Sequence, residues 1–416
     1  MSVVPMDIDQ VDISSIEEFW SEPLDVRESA FAALRGHPEP RFFAEPDFPG
    51  MEKGPGFYAL VRHADIVEAS RNPEIYSSVP SSTSLLDPPP EFSEFFGSMI
   101  SMDDPRHARL RRIVSRGFTP RMLKQLEAGV QTSAAAIVDE LLEKGPCDFV
   151  TEVAAPLPLK IICDMMGIPE SQYDFVFTRS NIILAGGDEE YVDPRRRVEA
   201  SLGAGADLVA LLGELAAARR AQPTEDLTSA LANANVDGES LTDQELGSFF
   251  ILLAVAGNET TRNAISHGLK LLTDFPGQRD LMLDDVEGRL PGAVEEIVRY
   301  ASPVIYMRRT LTRDHVLNGF PLTAGDKVAM FYWSANRDES VFADPYDFDI
   351  MREPNNHVGF GGPGPHYCLG AHLARREITV MFRELFARVP QIHAAGEPAR
   401  LRSNFINGIK HLDCAF

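Results

Sequence analysis

Apolar residues recur at spacings of three and four over much of this chain, a pattern that predicts a mostly helical protein. The longest segment of this kind covers residues 243–275, about nine helical turns, and Pro276-Gly277 end it. Further helices are predicted at residues 108–116, 122–144, 208–220, 291–301 and 369–388.

Strand patterns are fewer and shorter than the helical ones. Residues 57–62 alternate between apolar and polar positions, and residues 308–312 and 327–332 predict another part of a sheet. No linker of Pro, Gly or Ser composition divides the chain, and it has no repeat of solenoid period. We therefore expect one mostly α (α+β) domain over residues 1–416, with a small sheet near one end.

Charge and cysteine usage narrow the functional classes. The formal net charge of −23 repels nucleic-acid phosphates and anionic lipid heads. The four cysteines are far apart and lack zinc-site spacing, which indicates a reduced, cytoplasmic chain. The most apolar stretch, residues 249–256, is much shorter than a membrane-spanning helix, which needs about 20 residues. We expect a soluble protein without a stable membrane anchor and without nucleic acid as a partner.

Residues 357–370 form the most informative segment, a loop rich in Gly and Pro that brings Cys368 to the start of a predicted helix. The free N–H groups and the partial positive charge of a helix N-terminus stabilise a thiolate, and a bound metal ion removes the thiol proton. Glycines also allow a flat macrocycle to approach the backbone closely. The loop offers five of them: Gly359, Gly361, Gly362, Gly364 and Gly370.

Other interpretations of this loop remain open at this point. Cys368 could be a small buried apolar residue in a turn, which is the commoner role of a single cysteine. A Gly-rich loop before a helix could bind a phosphate, although no Gly-Lys-Ser/Thr follows here. A hydrolase would use Cys368 as its nucleophile, with His366 as the only nearby candidate base.

The string Phe-Gly-x-x-Gly-x-His-x-Cys-x-Gly resembles the haem-binding signature of the cytochromes P450. Phe360 lies eight residues before Cys368, one more than is usual in that signature. The resemblance implies the P450 fold, with small β-sheets and the long central helix over the haem. It also implies haem b (iron protoporphyrin IX) ligated by Cys368, a thiolate that favours O–O cleavage.

The long predicted helix carries a second motif. Leu252, Ala256 and Thr260 lie at i, i+4 and i+8, hence on one face. Ala256, with Gly257 beside it, leaves room above a macrocycle. Glu259 and Thr260 match the family's acid–alcohol pair, and the resemblance implies that they relay protons for oxygen activation. Alternatively, this is only a core helix in which Thr260 bonds back to its own turn.

Two charged motifs gain weight from the resemblance. Glu296 and Arg299 lie at i and i+3 of one predicted helix among apolar residues, and with Arg352 they match the family's structural triad. His107 and Arg111 lie at i and i+4 and match a pair that binds haem propionates. The full set of haem contacts that the resemblance implies is His107, Arg111, Ala256, Arg309, Phe360, His366, Cys368 and Gly370.

Longer strings, residues 156–169 and 302–310, resemble mycobacterial P450s that hydroxylate methyl-branched lipids at the chain end, and relatives that act on sterol side chains. The implied substrate is an apolar branched lipid, such as a methyl-branched fatty acid or an isoprenoid. Candidate pocket residues are apolar. They are Phe92, Phe95, Phe96, Met99, Ile100, Leu252, Leu253, Phe405 and Ile406. A haem or lipid carrier without catalysis is the alternative from another class.

Electrons must come from another protein, because the sequence shows neither an NAD fingerprint nor room for a flavin or iron–sulfur domain. The resemblance implies a ferredoxin and an NAD(P)H-dependent ferredoxin reductase, acting on a monomer. Several arginines are predicted on the thiolate side, where they could bind an acidic ferredoxin or simply pair with neighbouring acids. They are Arg109, Arg112, Arg116, Arg375 and Arg376.

Overall fold

The computed structural model describes the chain over residues 3–47, 51–89, 92, 96–118, 120–184, 188–235 and 238–416. Helices dominate these stretches. They are α1 (Leu24–Gly36), α2 (His63–Arg71), α3 (Arg106–Gly117), α4 (Pro120–Lys144), α5 (Pro156–Met166), α6 (Tyr173–Leu184), α7 (Arg197–Ala221), α8 (Leu227–Ala232), α9 (Asp243–Asp274), α10 (Pro276–Asp284), α11 (Val286–Ala301), α12 (Tyr332–Ala335) and α13 (Ala371–Arg388).

The strands are short, and most belong to one mixed sheet or to small hairpins. They are β1 (Arg41–Phe43), β2 (Phe57–Leu60), β3 (Tyr76–Ser77), β4 (Cys147–Asp148), β5 (Tyr306–Leu311), β6 (His315–Leu317), β7 (Phe320–Leu322), β8 (Lys327–Phe331), β9 (His393–Ala394), β10 (Ala399–Arg400), β11 (Ile409–His411) and β12 (Asp413–Ala415). The largest sheet has the order β1-β2-β8-β5-β3. In it β2 and β8 run parallel, and the other pairs are antiparallel.

The central helix α9 begins and ends where its sequence directs. Thr242 accepts a hydrogen bond from the N–H of Glu245, whose side chain accepts one from the Thr242 N–H, so the two form a capping box. Pro276 follows the last turn and cannot continue the helix. The predicted helix at 243–275 is therefore confirmed to within one residue, and α9 packs against α5, α6, α7, α11 and α13.

Two predicted helices begin earlier than expected. The start predicted at residue 208 is wrong, because α7 begins at Arg197 and its first turns include a run of Gly and Ala without a clear apolar face. The start predicted at residue 291 is also wrong, because Asp285 caps α11 and Pro291 lies inside the helix. Within the described residues, α7 alone is long and apolar enough to pass a test for a membrane-spanning helix. A single helix of this kind is weak evidence for a membrane span; 33% of its apolar window is buried, and α7 packs against α6 and α9.

The hydrophobic core is divided between the helices and the sheet. One large cluster joins α3 to α6 with α9, α11 and α13. Two smaller clusters pack α1 and α2 against the mixed sheet. The prediction of a mostly helical chain with a small sheet to one side is confirmed, and the loop before α13 lies where these layers meet.

Candidate active site at the cysteine loop

The loop before α13 closes on itself around Cys368. The Cys368 N–H donates to the carbonyl of Phe360 over 3.0 Å, and the Gly361 N–H donates to the carbonyl of Val358 over 2.9 Å. Gly361 has a φ of +90°, a left-handed conformation that favours glycine. The extra residue of the signature is thus accommodated within a closed turn, and only Leu369 and Gly370 separate Cys368 from the first residue of α13.

The Cys368 side chain is half-buried just before the start of α13. Burial raises its pKa, and the N–H groups of Gly370 and Ala371 with the charges of Arg111 and Arg375 oppose that rise only in part. The sulfur is therefore protonated at neutral pH unless a metal ion removes the proton, as a bound iron would.

The hydrolase interpretation of Cys368 fails on this geometry. A thiol with a raised pKa is a poor nucleophile. His366, the proposed base, lies with Nε2 3.0 Å from Oγ of Ser78 rather than on the sulfur. Burial, and next the charge of Arg309, lower the pKa of His366 to about 3, so it is a weak base.

The loop glycines serve two different purposes. A Cβ at Gly362 or Gly364 would overlap with Ser70 of α2, so these glycines permit the loop to pack on α2. The expectation that they leave room for a macrocycle is wrong. Gly370 differs, because no atom lies within 4 Å of a Cβ built there. The open space next to Cys368 is what a flat cofactor would need.

The middle of α9 is unusually accessible for a central helix. Ala256 is exposed, and Leu252 and Thr260 on the same face are half-buried, whereas most of the following turns are buried. A Cβ at Gly257 would come within 2.6 Å of Cδ1 of Ile162, so this glycine permits packing on α5 and does not enlarge the site, contrary to expectation. The accessible face of α9 is therefore the one that carries Leu252, Ala256 and Thr260.

The Glu259 carboxylate is held in a buried network that the sequence analysis missed. It forms an ion pair with Arg262, and Nδ2 of Asn263 donates to its Oε1 over 3.0 Å. Arg262 Nη1 also donates to Oδ1 of Asn181 on α6 over 3.2 Å, and the N–H of Ile409 donates to Oδ1 of Asn263 over 2.9 Å. The spacings i+3 and i+4 from Glu259 were the available signal for these partners.

The Thr260 hydroxyl donates to the carbonyl of Ala256 over 2.8 Å, so it bonds back to its own turn. Among the described contacts, none joins the Thr260 hydroxyl to the Glu259 carboxylate, which faces Arg262 instead. The two residues are adjacent in sequence, but about 100° of helical rotation separates their side chains.

Two histidines and a buried arginine collect beside the cysteine loop. The rings of His107 and His366 lie 4.1 Å apart between centroids. Arg309 is buried, donates from Nη1 to the carbonyl of Arg308 over 2.7 Å, and forms no ion pair with the acids of the described residues. Burial, and then Arg111, lower the pKa of His107. His107 Nδ1 lies 3.5 Å from the Asp104 carboxylate, so within this group Arg309 is the charge that suits an anionic group such as a propionate.

Arg111 differs from the other predicted propionate contacts. Its Nη1 and Nη2 each donate over 2.8 Å, to the carbonyls of Pro365 and Tyr367. Arg111 therefore holds the cysteine loop against α3, and two of its nitrogens are already engaged.

The triad of Glu296, Arg299 and Arg352 is formed in the structure. Two bonds of 2.7 Å join the Arg299 guanidinium to the Glu296 carboxylate, and both side chains are fully buried. Arg352 Nε donates to Oε1 of Glu296 over 3.2 Å. The same carboxylate accepts bonds from the N–H of Asp349 and from Asn355.

The predicted pocket residues are distributed over three places. The rings of Phe92 and Phe96 lie 5.3 Å apart and are half-buried, while Met99 is buried in the main core. Four further members are half-buried: Ile100, Leu252, Leu253 and Phe405. Ile406 is buried, and Phe95 lies outside the described residues. Phe405 packs on the sheet-side core, with its ring 5.5 Å from that of Tyr306.

Comparison with known proteins bears on this arrangement. The family model described as Cytochrome P450 matches residues 289–388. A methyl-branched lipid omega-hydroxylase of Mycobacterium tuberculosis is 51% identical over 413 residues, which are 97% of this chain and 95% of the relative. The chain belongs to the cytochrome P450 family. A steroid C26-monooxygenase of Mycolicibacterium smegmatis is 40% identical to this P450 over 372 residues, 88% of the chain and 85% of the relative.

Solved structures agree with the family assignment. A Mycobacterium marinum cytochrome P450 in complex with pseudoionone has a TM-score of 0.93 and 42% identity to this P450, and each chain is covered over 100% of its length. The predicted P450 fold, the enzyme class of monooxygenase and a haem-iron cofactor are thereby confirmed. The alternative of a non-catalytic carrier is not retained. The open space at Gly370, the exposed Ala256 and the Arg309 guanidinium, which forms no ion pair with the described acids, fit such a cofactor.

Proposed function

We propose that this P450 hydroxylates apolar branched-chain lipids, such as methyl-branched fatty acids or isoprenoids, at or near the terminal methyl group. The observation that supports this most is the 51% identity, over 97% of the chain, with a methyl-branched lipid omega-hydroxylase. A terminal methyl has stronger C–H bonds than carbons within the chain. Its oxidation therefore requires a pocket that presents only the end of the substrate.

We infer that the cofactor is haem b, ligated by the Cys368 sulfur. When bound, the haem supplies oxygen activation, and a thiolate ligand favours O–O cleavage. His107, His366 and Arg309 would hold the propionates, and Arg111 would keep the loop in place. The groups that would flank the macrocycle are Ala256, Phe360 and Gly370. Phe360 is itself positioned by Arg375, whose guanidinium carbon lies 4.2 Å from the ring centroid.

The apolar side chains around the exposed face of α9 would contact the substrate. Leu252 and Leu253 are half-buried and lie one turn before the exposed Ala256. Phe92, Phe96, Met99 and Ile100 would complete one side of the pocket and Phe405 the other.

Spectral titration of the haem-loaded protein tests the substrate class. Three ligands are compared: a methyl-branched fatty acid, a linear acid of equal chain length and a sterol, the last because of the steroid C26-monooxygenase relative. We expect the branched acid to bind most tightly and to yield the terminal alcohol by mass spectrometry. Tighter binding and faster oxidation of the sterol would favour side-chain hydroxylation of sterols instead. Equal turnover of linear and branched acids would refute the branched-chain proposal.

Thr260 Oγ is the group that we propose delivers protons during oxygen activation. Its hydroxyl lies on the accessible face of α9, and it must first leave the carbonyl of Ala256. Glu259 would resupply the proton, which requires its carboxylate to release Arg262.

Thr260→Ala is expected to lower the rate of hydroxylation about 100-fold, the order of magnitude of one lost general acid. Haem content and the affinity for substrate should stay unchanged, because no described side chain depends on this hydroxyl. Thr260→Ser keeps the hydroxyl and is the matched control. We would measure product formation and the solvent deuterium isotope effect. An alanine variant that retains the serine variant's rate would exclude Thr260 from the relay.

A ferredoxin and an NAD(P)H-dependent ferredoxin reductase are the electron donors that we propose. Of the arginines predicted for docking, Arg109 and Arg112 pair with Glu245 and Glu239, and Arg375 pairs with Glu295. These charges are largely compensated already. Arg116 and Arg376 form no ion pair with the described acids, so the docking surface would depend mostly on these two.

Arg376→Glu is expected to raise the KM for an acidic ferredoxin about tenfold at low salt, because a charge at an interface rim acts mainly on association. The effect should fade as ionic strength rises. Arg313→Glu, an exposed charge on the turn after β5, is the control and should leave the KM unchanged. A turnover rate that is unchanged by the charge reversal at Arg376 and by the salt concentration would argue against this docking surface.

We further propose that the P450 works as a cytoplasmic monomer, with residues 1–416 forming one domain and without a stable membrane anchor. The overlap with a solved Mycobacterium marinum cytochrome P450 over the whole of both chains supports the single domain.

A further inference from the structure

Two arginines outside the active site form no side-chain hydrogen bond or ion pair within the described part of the chain. Arg27 on α1 is only 6% exposed, yet it forms no hydrogen bond or ion pair within the described part of the chain, and its Nε is fully buried. Arg400 on β10 likewise has a buried Nη1 without an acceptor. Their neighbour Arg337 provides a contrast, because it bonds to Glu28 and to the carbonyls of Trp333 and Tyr300.

These two arginines share their surroundings. The guanidinium carbon of Arg27 lies 5.9 Å from the ring centroid of Trp333, and that of Arg337 lies 4.9 Å from it. Burial, and next the charge of Arg400, lower the pKa of Arg27 to about 10. Burial, then Arg400, Arg337 and Arg27 together, also lower the pKa of His267 on α9 to about 3. Three cations therefore act on one region between α1, α9, α12 and β10.

The acids near this region are already paired with other cations. Glu28 lies 3.1 Å from Nε of Arg337. The carboxylate oxygens of Asp274 and Glu397 lie 2.6 and 3.2 Å from Nζ of Lys270. Glu28 opposes the lowered pKa of Arg27, and Glu397, Asp274 and Glu28 oppose that of Arg400, but only in part. Among the described residues no carboxylate forms an ion pair with either guanidinium group.

A third unused donor belongs to the same region. Nε1 of Trp333 is buried without an acceptor, whereas Nε1 of Trp20, the other tryptophan, donates to the carbonyl of Ile13 over 3.0 Å. Buried donors are almost always satisfied, and buried like charges destabilise each other unless a counter-charge lies between them. Water would satisfy the donors, but it would not neutralise two cations.

We propose that Arg27, Arg400 and Nε1 of Trp333 form a binding site for a small oxyanion, a carboxylate or a phosphate. An arginine fork matches two acceptor oxygens of such an ion, and the indole N–H supplies a further donor. The bound ion would join α1 to the hairpin of β10 and β11. His267 Nε2 lies 2.9 Å from the carbonyl of Asn407 in this hairpin, two residues beyond Phe405. The site is therefore separate from the cysteine loop but adjacent to a pocket element.

Thermal unfolding of the haem-loaded protein tests this site. Phosphate, acetate and chloride are compared at equal ionic strength and pH. We expect phosphate, acetate or both to raise the Tm of the wild-type protein in a saturable manner over chloride. The responding anion distinguishes a tetrahedral from a planar ligand. General salt stabilisation of proteins does not saturate and serves as the baseline.

Arg27→Gln and Arg400→Gln should each lose the saturable rise. In chloride, both should melt no lower than the wild-type protein, because the repulsion between the two cations is gone. Arg313→Gln, at an exposed position, is the control and should keep the response. The proposal is overturned if the wild-type protein shows no saturable rise with either anion, or if both site variants keep it.

The indole N–H signals provide a second readout that does not need the arginine variants to fold. In protein with ¹⁵N-labelled tryptophan, the anion should shift the Nε1–H signal of Trp333 and leave that of Trp20 in place. The variant Trp20→Phe assigns the signals. If the chemical shift of the Trp333 Nε1–H signal does not change at a saturating anion concentration, the result contradicts the site.

Discussion

Cys368→Ser is expected to abolish hydroxylation and the carbon monoxide difference spectrum of a thiolate-bound haem, while the fold persists. Serine is nearly isosteric with cysteine, and its hydroxyl retains its proton where a thiol beside iron does not. The N–H groups of Gly370 and Ala371 that point at the sulfur would remain. The measurement is the spectrum of the reduced protein with and without carbon monoxide, together with product formation.

Cys147→Ser is the matched control for that experiment. Cys147 lies on β4, is partly buried and contacts Cys414 across the strand pair at 4.0 Å between sulfurs. It should leave the spectrum and the activity unchanged. A Cys368→Ser protein that kept the thiolate spectrum would show that another residue ligates the iron, and the proposed oxidation chemistry would lose its basis.

Glu296→Ala is expected to have the largest effect on folding. The Glu296 carboxylate is fully buried and accepts bonds from Arg299, Arg352, Asn355 and the N–H of Asp349. Its removal leaves the Arg299 guanidinium buried without its counter-charge, which costs roughly 3–5 kcal/mol. We expect little folded, haem-loaded protein, measured as the ratio of haem absorbance to protein and as unfolding in urea.

Glu287→Ala is the control on the same helix. Glu287 also binds an arginine through both carboxylate oxygens, but its pair with Arg383 is exposed. Exposed pairs contribute at most about 1 kcal/mol. This variant should yield haem-loaded protein in normal amount. Similar losses in both variants would mean that burial of the Glu296 pair is not the cause.

The residues around Glu259 show where prediction from the sequence ended. The motif identified Glu259 and Thr260 as neighbours with different chemistry, and the structure assigns them to different faces of α9. The Glu259 carboxylate is bound by Arg262 and Asn263. Helical spacing made these partners possible, but only packing against Asn181 of α6 and Ile409 of β11 determined that they are used.

The glycines of the cysteine loop make the same point for packing. Their number predicted a backbone that something approaches closely, and this is correct. Ser70 of α2 is the group that approaches the backbone at Gly362 and Gly364. At Gly370 no neighbouring group approaches, and the space is open. The sequence shows where a Cβ is absent. The neighbour that leaves no room for a Cβ lies about 300 residues away in the chain, so only the fold identifies it.

By itself, the sequence determined the local features of this P450: the central helix, whose capping box and following proline define its ends, the cysteine at a helix N-terminus, and the Glu296–Arg299 pair at i and i+3. Each depends on residues within a few positions of one another, so short-range geometry decides it. The tertiary structure alone decided the mixed sheet order, the burial of Glu259 with Arg262 and the lack of an ion pair between Arg309, Arg27 or Arg400 and the described acids. Those features depend on which distant segments meet, and on where a counter-charge is missing when they do.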